Sequence, residues 1–195
     1  MSRRGARVQD AAGYMLHATP WRETSLVVQA FSREHGCVAL VAKGAKRPYS
    51  TLRPVLNAFQ PLLLSWTGMG EVKTLTRAES AGIHALAGGA LMSAWYMNEL
   101  LLRLLPREDP HPVLYDAYVE ALRQLAGGQR AAAALRRFEW MLLRETGYGV
   151  DEDEPDFGDA QREPALRASL RERLADQLAG RPLATRRVLM ELQRL

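Results

Sequence analysis

The amino-acid sequence predicts an α+β protein in which a small β-barrel precedes an all-α helical domain. From Asp10 to Glu79 short apolar runs alternate with turn residues, whereas after residue 80 the apolar spacing lengthens from two to about 3.6 residues. Charge changes at the same place. Residues 1–80 carry 11 Lys and Arg against 5 Asp and Glu, net +6, and residues 81–195 carry 15 against 17, net −2. A chain of 195 residues, 47% of them apolar, can bury a core without disulfides or metals.

The first segment reads as five strands, Tyr14 to Ala18, Ser25 to Ser32, Cys37 to Ala42, Phe59 to Trp66 and Lys73 to Arg77. Val28 and Ala30 alternate imperfectly with Val27, Gln29 and Phe31, as expected of a barrel wall packed inside and partly covered outside. Arg33-Glu34-His35-Gly36 and Thr67-Gly68-Met69-Gly70 have the composition of hairpin turns. The stretch from Lys43 to Ala58 exceeds any tight hairpin and holds one or two helical turns at Thr51 to Ala58. Five strands with an insertion between the third and fourth is the layout of a five-stranded OB-fold β-barrel, with an SH3-like barrel as the competitor.

In the second segment Leu91, Trp95, Asn98, Leu102 and Leu105 step along one helix that ends at Pro106. A second carries Leu114, Tyr118, Ala121, Leu122 and Leu125 and stops at Gly127-Gly128. A third, Ala131 to Thr146, carries Leu135, Phe138 and Leu142 with the basic pair Arg136-Arg137. From Asp151 to Asp159 there are six acids in nine residues, a solvated loop rather than a calcium loop, because Pro155 stands fifth and Gly158 misses the sixth position. Helices over Pro164 to Ala179 and Thr185 to Leu195 close the chain, Thr185 as N-cap. The expected domains are 1–80 (barrel), 81–150 (helical), 151–163 (acidic loop) and 164–195 (helices packing on the helical domain).

Catalytic patterns are missing. Lys43-Gly44 reverses the Walker order, and there is no G-x-S-x-G or H-E-x-x-H string. His17, His35, His84 and His111 lack ligand spacing and read as turn or surface residues, and Glu99 reads as a partner for Arg103 four residues on. No bond-making site, cofactor or metal is therefore expected. Cys37 is the one cysteine, which suits a reducing cytoplasm, and no 18-residue apolar run or apolar leader is present.

What stands out is Lys43, Lys46, Arg47 and Arg53, with no acid between Glu34 and Glu71. Such one-sided charge on a turn, beside Tyr49, is what a phosphate backbone selects. Arg22, Arg33, Lys73 and Arg77 are expected to extend this DNA-binding face, and Tyr49 or Trp21 to stack bases.

Taken in order, Gly13-Tyr14-Met15-Leu16, Arg22-Glu23-Thr24-Ser25-Leu26, Phe31-Ser32-Arg33-Glu34-His35-Gly36, Val41-Ala42-Lys43-Gly44-Ala45 and Phe59-Gln60-Pro61-Leu62 form a pattern. It continues through Tyr96-Met97-Asn98-Glu99-Leu100-Leu101, Leu105-Pro106, His111-Pro112-Val113-Leu114-Tyr115, Phe138-Glu139, Leu142-Leu143 and Gly147-Tyr148. Over residues 10–150 the chain resembles the RecO recombination-mediator proteins of bacterial DNA repair. The resemblance implies an OB-fold followed by a helical domain. It also implies binding to single-stranded and double-stranded DNA, strand annealing, and work with a RecR-type partner to load recombinase onto DNA coated by single-strand-binding protein. A nucleoid-associated, cytoplasmic location follows from the same roles. The acidic, apolar tail of single-strand-binding protein would meet a helical groove holding Leu135 and Phe138 beside Arg123, Arg136 and Arg137.

Two departures accompany the resemblance. Many relatives carry a four-cysteine zinc site that one cysteine cannot build, and they hold a longer stretch where this chain has the acidic loop. Pro182-Leu183-Ala184-Thr185-Arg186-Arg187 still resembles the closing helix. The competing reading is a protein-interaction scaffold whose basic loop binds an acidic partner, followed by an RNA-binding barrel protein.

Overall fold

The computed structural model describes residues 7–128, 131–148, 153–179 and 181–185. The chain divides into two compact units, one running through His84 and including Pro106–Pro112, the other comprising Ala85–Leu105 and the chain from Val113 onward. Pro106–Pro112 interrupts the helical segment by sequence yet belongs with the barrel.

Five strands build the first unit: β1 (Arg7–Trp21), β2 (Ser25–Ser32), β3 (Gly36–Ala42), β4 (Pro61–Thr67) and β5 (Val72–Ser80). They close into a barrel in the order β1-β2-β3-β5-β4, every pairing antiparallel except β3 with β5, where Ala39, Leu40 and Val41 face Val72, Lys73 and Thr74. This is the OB-fold order, and the parallel closure decides against a simple meander. β1 is three times the predicted length. Its first half pairs with β4 and its second with β2, and irregularities at Val8/Ala11 and Met15/His17 bend it between the two. Asp10, left-handed at φ 49°, marks the first irregularity; its N–H donates to Ser65 Oγ at 3.0 Å. Arg7, Gln9 and Asp10 are polar, so the strand has no alternation there for a sequence pattern to find.

Val28, Ala30, Val38, Leu40, Leu62, Leu64, Trp66 and Leu75 fill the barrel. Burial of Cys37 inside β3 pushes its thiol up to about 12, in keeping with a packed strand residue. The β3–β4 connection is a run of turns with one i→i+4 bond, Leu56 N–H to Leu52 O at 2.9 Å, pinned because Ala45 and Leu56 drop into the same core. Segment 106–112 lies along the start of β3. Arg107 bridges Cys37, and Glu108 N–H donates to Cys37 O at 3.0 Å. A Cβ on Gly36, itself left-handed at φ 65°, would sit 2.1 Å from Asp109 O, so only glycine admits the segment.

The helical unit contains α1 (Gly88–Leu104), α2 (Pro112–Ala126), α3 (Ala131–Glu145) and α4 (Glu163–Gln177). α2 buries the stripe its spacing predicts, Leu114, Tyr118, Ala121, Leu122 and Leu125. α1 does so only in part: Asn98 and Leu105 of its expected stripe are buried, with Ala94, Met97, Leu100 and Leu101, while Leu91 and Leu102 are exposed. That helix is apolar almost all round, so periodicity could not select the buried face. Glu99 pairs with Arg103 at 2.7 Å as expected, and it also accepts from Ala184 N–H at 2.8 Å, Thr185 N–H at 2.9 Å and Thr185 Oγ1 at 2.6 Å. One carboxylate thus ties the end of the described chain to α1. Beyond Thr185 the expected last helix lies outside the described residues, as does the first part of the acidic segment, residues 151 and 152.

Candidate nucleic-acid interface

A cleft of about 940 Å³ opens at one end of the barrel, between the β1–β2 turn, the beginning of the β3–β4 connection and the first residues of β5. Local chain geometry explains why cations gather there. Ala42 and Ala45 are buried, so Lys43, Lys46 and Arg47 between and after them are turned outward. Gly44, left-handed at φ 70°, reverses the chain, and its bare Cα leaves room for the Arg47 stem, whose Cδ lies 3.5 Å from where a Cβ would stand. Lys46 N–H donates to Thr24 O at 2.9 Å, fastening this connection to the β1–β2 turn, where Arg22 is left-handed at φ 53°. Both turns are therefore held by the backbone, and their charged ends remain exposed.

Of the residues predicted to contact DNA, the cleft brings together Arg22, Lys43, Arg47 and Lys73, with Trp21 as its exposed aromatic wall. Among the described residues, Arg22, Lys43, Lys46, Arg47 and Arg53 have no ion-pair partner. Lys46, Arg53 and Tyr49 lie exposed on the same connection but outside the cleft wall, Tyr49 at 99% exposure. Arg33 sits on the β2–β3 turn, partly buried, with its N–H on Ala12 O at 3.2 Å.

Two of the expected cations differ from the sequence reading. Arg77 is held by Glu79, two residues along β5, at 2.5 Å and by Asp10 of β1 at 3.6 Å, so its charge is already partnered. Lys73 lines the cleft, yet its side chain is only 11% exposed, donates to Gly70 O at 3.3 Å and is ion-paired with Glu108. Sequence reasoning missed Val41, Val72 and Thr74 on the cleft floor, because only the parallel β3–β5 pairing places them there.

The predicted helical groove is partly redrawn. A cleft of about 260 Å³ between α2 and α3 is lined by Val113, Ala117, Glu120, Phe138, Met141 and Arg137, among others. Arg123 stands beside it, paired with Glu120 at 2.6 Å, and Arg137 reaches Glu154 of the acidic segment at 3.3 Å. Leu135 and Arg136 are absent from its lining. Arg136 is buried against Glu139 at 2.8 Å, with Glu163 at 3.9 Å, and Tyr96 donates to Glu139 at 2.7 Å. Consecutive helix positions face about 100° apart, so Arg136 and Arg137 cannot serve one groove. Burial pushes the Glu139 carboxyl up, with Arg136 opposing the shift.

Among the described residues no three His, Cys, Asp or Glu gather to hold a metal ion, and no helix is long and apolar enough to cross a membrane.

Comparison with known proteins bears on the same two units. Residues 7–84 match the family model for the recombination protein O N terminal, and residues 87–155 match that for its C terminal. The chain is 46% identical over 235 positions to a DNA repair protein RecO from Aromatoleum aromaticum, covering 97% of this chain and 98% of that one. It is 42% identical to one from Cupriavidus pinatubonensis, covering 100% of this chain and 83% of that one, over 241 positions. A third, from Ralstonia nicotianae, is 56% identical over 148 residues, 75% of this chain and 54% of the relative. Since 241 aligned positions exceed the 195 residues present, at least 46 of them face no residue here.

Proposed function

The chain belongs to the RecO family of DNA repair proteins, and from that premise we propose that its barrel cleft holds single-stranded DNA by the backbone, without covalent chemistry. The observation that carries this reading is the convergence of Arg22, Lys43 and Arg47, unpaired among the described residues, around a cleft walled by Trp21. In an OB-fold the face of strands 2 and 3 and the β1–β2 and β4–β5 loops are the regions that bind oligonucleotides. Three cations with an exposed indole suit a strand whose phosphates run past the turns and whose bases stack in passing. Neither contact reads sequence.

Annealing follows from the same surface. Cations that neutralise two backbones at once remove the repulsion between complementary strands and leave recognition to base pairing. Duplex DNA can use the same charges through its phosphates. Lys46 and Arg53, exposed on the connection beyond the cleft, extend the track. In the helical unit, the α2–α3 groove offers Val113 and Met141 above the buried Phe138, with Arg137 at its rim, a fit for the acidic, apolar tail of single-strand-binding protein. Together with a RecR-type partner, these contacts would place the protein on coated DNA in the cytoplasm at the nucleoid, where recombinase is loaded.

The test is fluorescence anisotropy of a labelled single strand, bare and coated with single-strand-binding protein, at two salt concentrations. Salt-sensitive binding to both forms, together with faster annealing of complementary strands, is the expected result. Absence of binding to either form would overturn DNA engagement by this chain and favour the scaffold reading.

A further inference from the structure

Lys73 lies in the floor of the cleft, but its environment differs from that of the other cations there. Its stem rests over Gly68, whose Cβ would stand 3.5 Å from the Lys73 Cα, and its Nζ is turned to Gly70 O at 3.3 Å and to the Glu108 carboxylate. Glu108 comes from the segment 106–112, 65 residues beyond Lys43 in the chain but packed in the same unit. Its placement is costly for the backbone: it is left-handed at φ 58°, a conformation unfavourable for a side-chain-bearing residue. That conformation is maintained by its N–H on Cys37 O at 3.0 Å and by the close passage of Asp109 over Gly36. A second ion pair, Arg107 with Glu71 at 3.5 Å, links the same segment to the β4–β5 turn.

We infer that Glu108 is a positioning residue of the cleft, an internal counter-ion that keeps Lys73 from the phosphate track and so limits the cations offered to a strand. The inference rests on the proposed cleft reading. A carboxylate fixed by its own segment's backbone contacts occupies Lys73 at no loss of association entropy, whereas a phosphate must displace it and re-expose both charges. The cleft then binds through Arg22, Lys43 and Arg47, and its affinity stays below what its composition permits. Weak hold on any one strand suits a protein that must release DNA after annealing.

The experiment is a salt titration of single-strand binding by the full chain carrying Glu108→Gln, Lys73→Gln, both, or Glu71→Gln. Glu71→Gln changes net charge equally without touching Lys73. Glu108→Gln is expected to tighten binding by about 5-fold and to steepen the log–log salt slope by about 0.7, the increment for one more phosphate contact on a single strand. Adding Lys73→Gln should return the slope to that of the unsubstituted protein, and Glu71→Gln should change affinity by less than about 2-fold. Tighter binding with an unchanged slope would show that Lys73 already meets phosphate, and would overturn the inference. So would equal effects of Glu108→Gln and Glu71→Gln. If instead Arg22, Lys43 and Arg47 can be neutralised with no effect on binding, the cleft reading itself fails.

Discussion

Neutralising Arg22, Lys43 and Arg47 together as glutamines is the perturbation that most directly interrogates the cleft. The three side chains are exposed and have no ion-pair partner among the described residues, so the folded state should be almost unaffected. Each cation that meets a phosphate releases counter-ions worth about 0.7 in the salt slope of single-strand binding. Losing three lowers the slope by about 2. Between about 50 and about 200 mM salt, a fourfold range, the affinity gap between the native and substituted proteins should therefore narrow by about 20-fold. The assay is an anisotropy titration at four salt concentrations, with thermal unfolding as the control for folding. Parallel salt lines, or a gap that does not narrow, would refute the claim that these three side chains contact the backbone. Arg77→Gln provides an internal comparison: Glu79 and Asp10 already neutralise it, so its slope should stay near native.

Other outcomes follow from particular contacts. Trp21→Ala should weaken single-strand binding by about 1–3 kcal/mol per stacked base and leave the salt slope unchanged, whereas Tyr49→Ala, outside the cleft wall, should cost less in the same titration. Glu139→Ala leaves Arg136 buried without its main partner and should cost about 3–5 kcal/mol in urea unfolding, while Arg136→Met with Glu139→Leu should cost less than the single change. For Glu99, burial alone would raise the carboxyl, but hydrogen bonds from Thr185 and Ala184 and the charge of Arg103 outweigh it and hold the carboxyl below its ordinary value. A depressed carboxylate stabilises the fold above its ordinary value and loses that contribution as pH falls through the depressed one. Glu99→Gln should accordingly lower the melting temperature at neutral pH, and the difference from native should shrink as the solution is acidified through and below the ordinary carboxylate range.

The readable parts of this chain are those where a local rule has one solution. β2 ends where the apolar run ends, and β3 differs from its expected span by one residue, because Gly36 must supply a left-handed turn. α2 buries the face its spacing marks, since its opposite side is polar. Where the rule has several solutions the sequence was silent. α1 is apolar on too many sides to reveal its buried face, and at the start of β1 Arg7, Gln9 and Asp10 together with the register shift between Val8 and Ala11 leave no alternation to read. For the candidate site the basic cluster was visible as charge, and the family strings in order pointed to the same barrel.

Composition and periodicity determined an α+β chain with a basic barrel ahead of a near-neutral helical segment, and the ordered motif strings carried the resemblance to the family. Tertiary structure alone decided which of the nine predicted contact residues share a cleft. The parallel pairing of β3 with β5 sets Lys73 beside Lys43 and Arg47, and segment 106–112 then places Glu108 on Lys73. Charge is a property of a residue and can be counted along a chain; whether that charge is available depends on which carboxylate the fold brings within reach, and that partner stands 35 residues away.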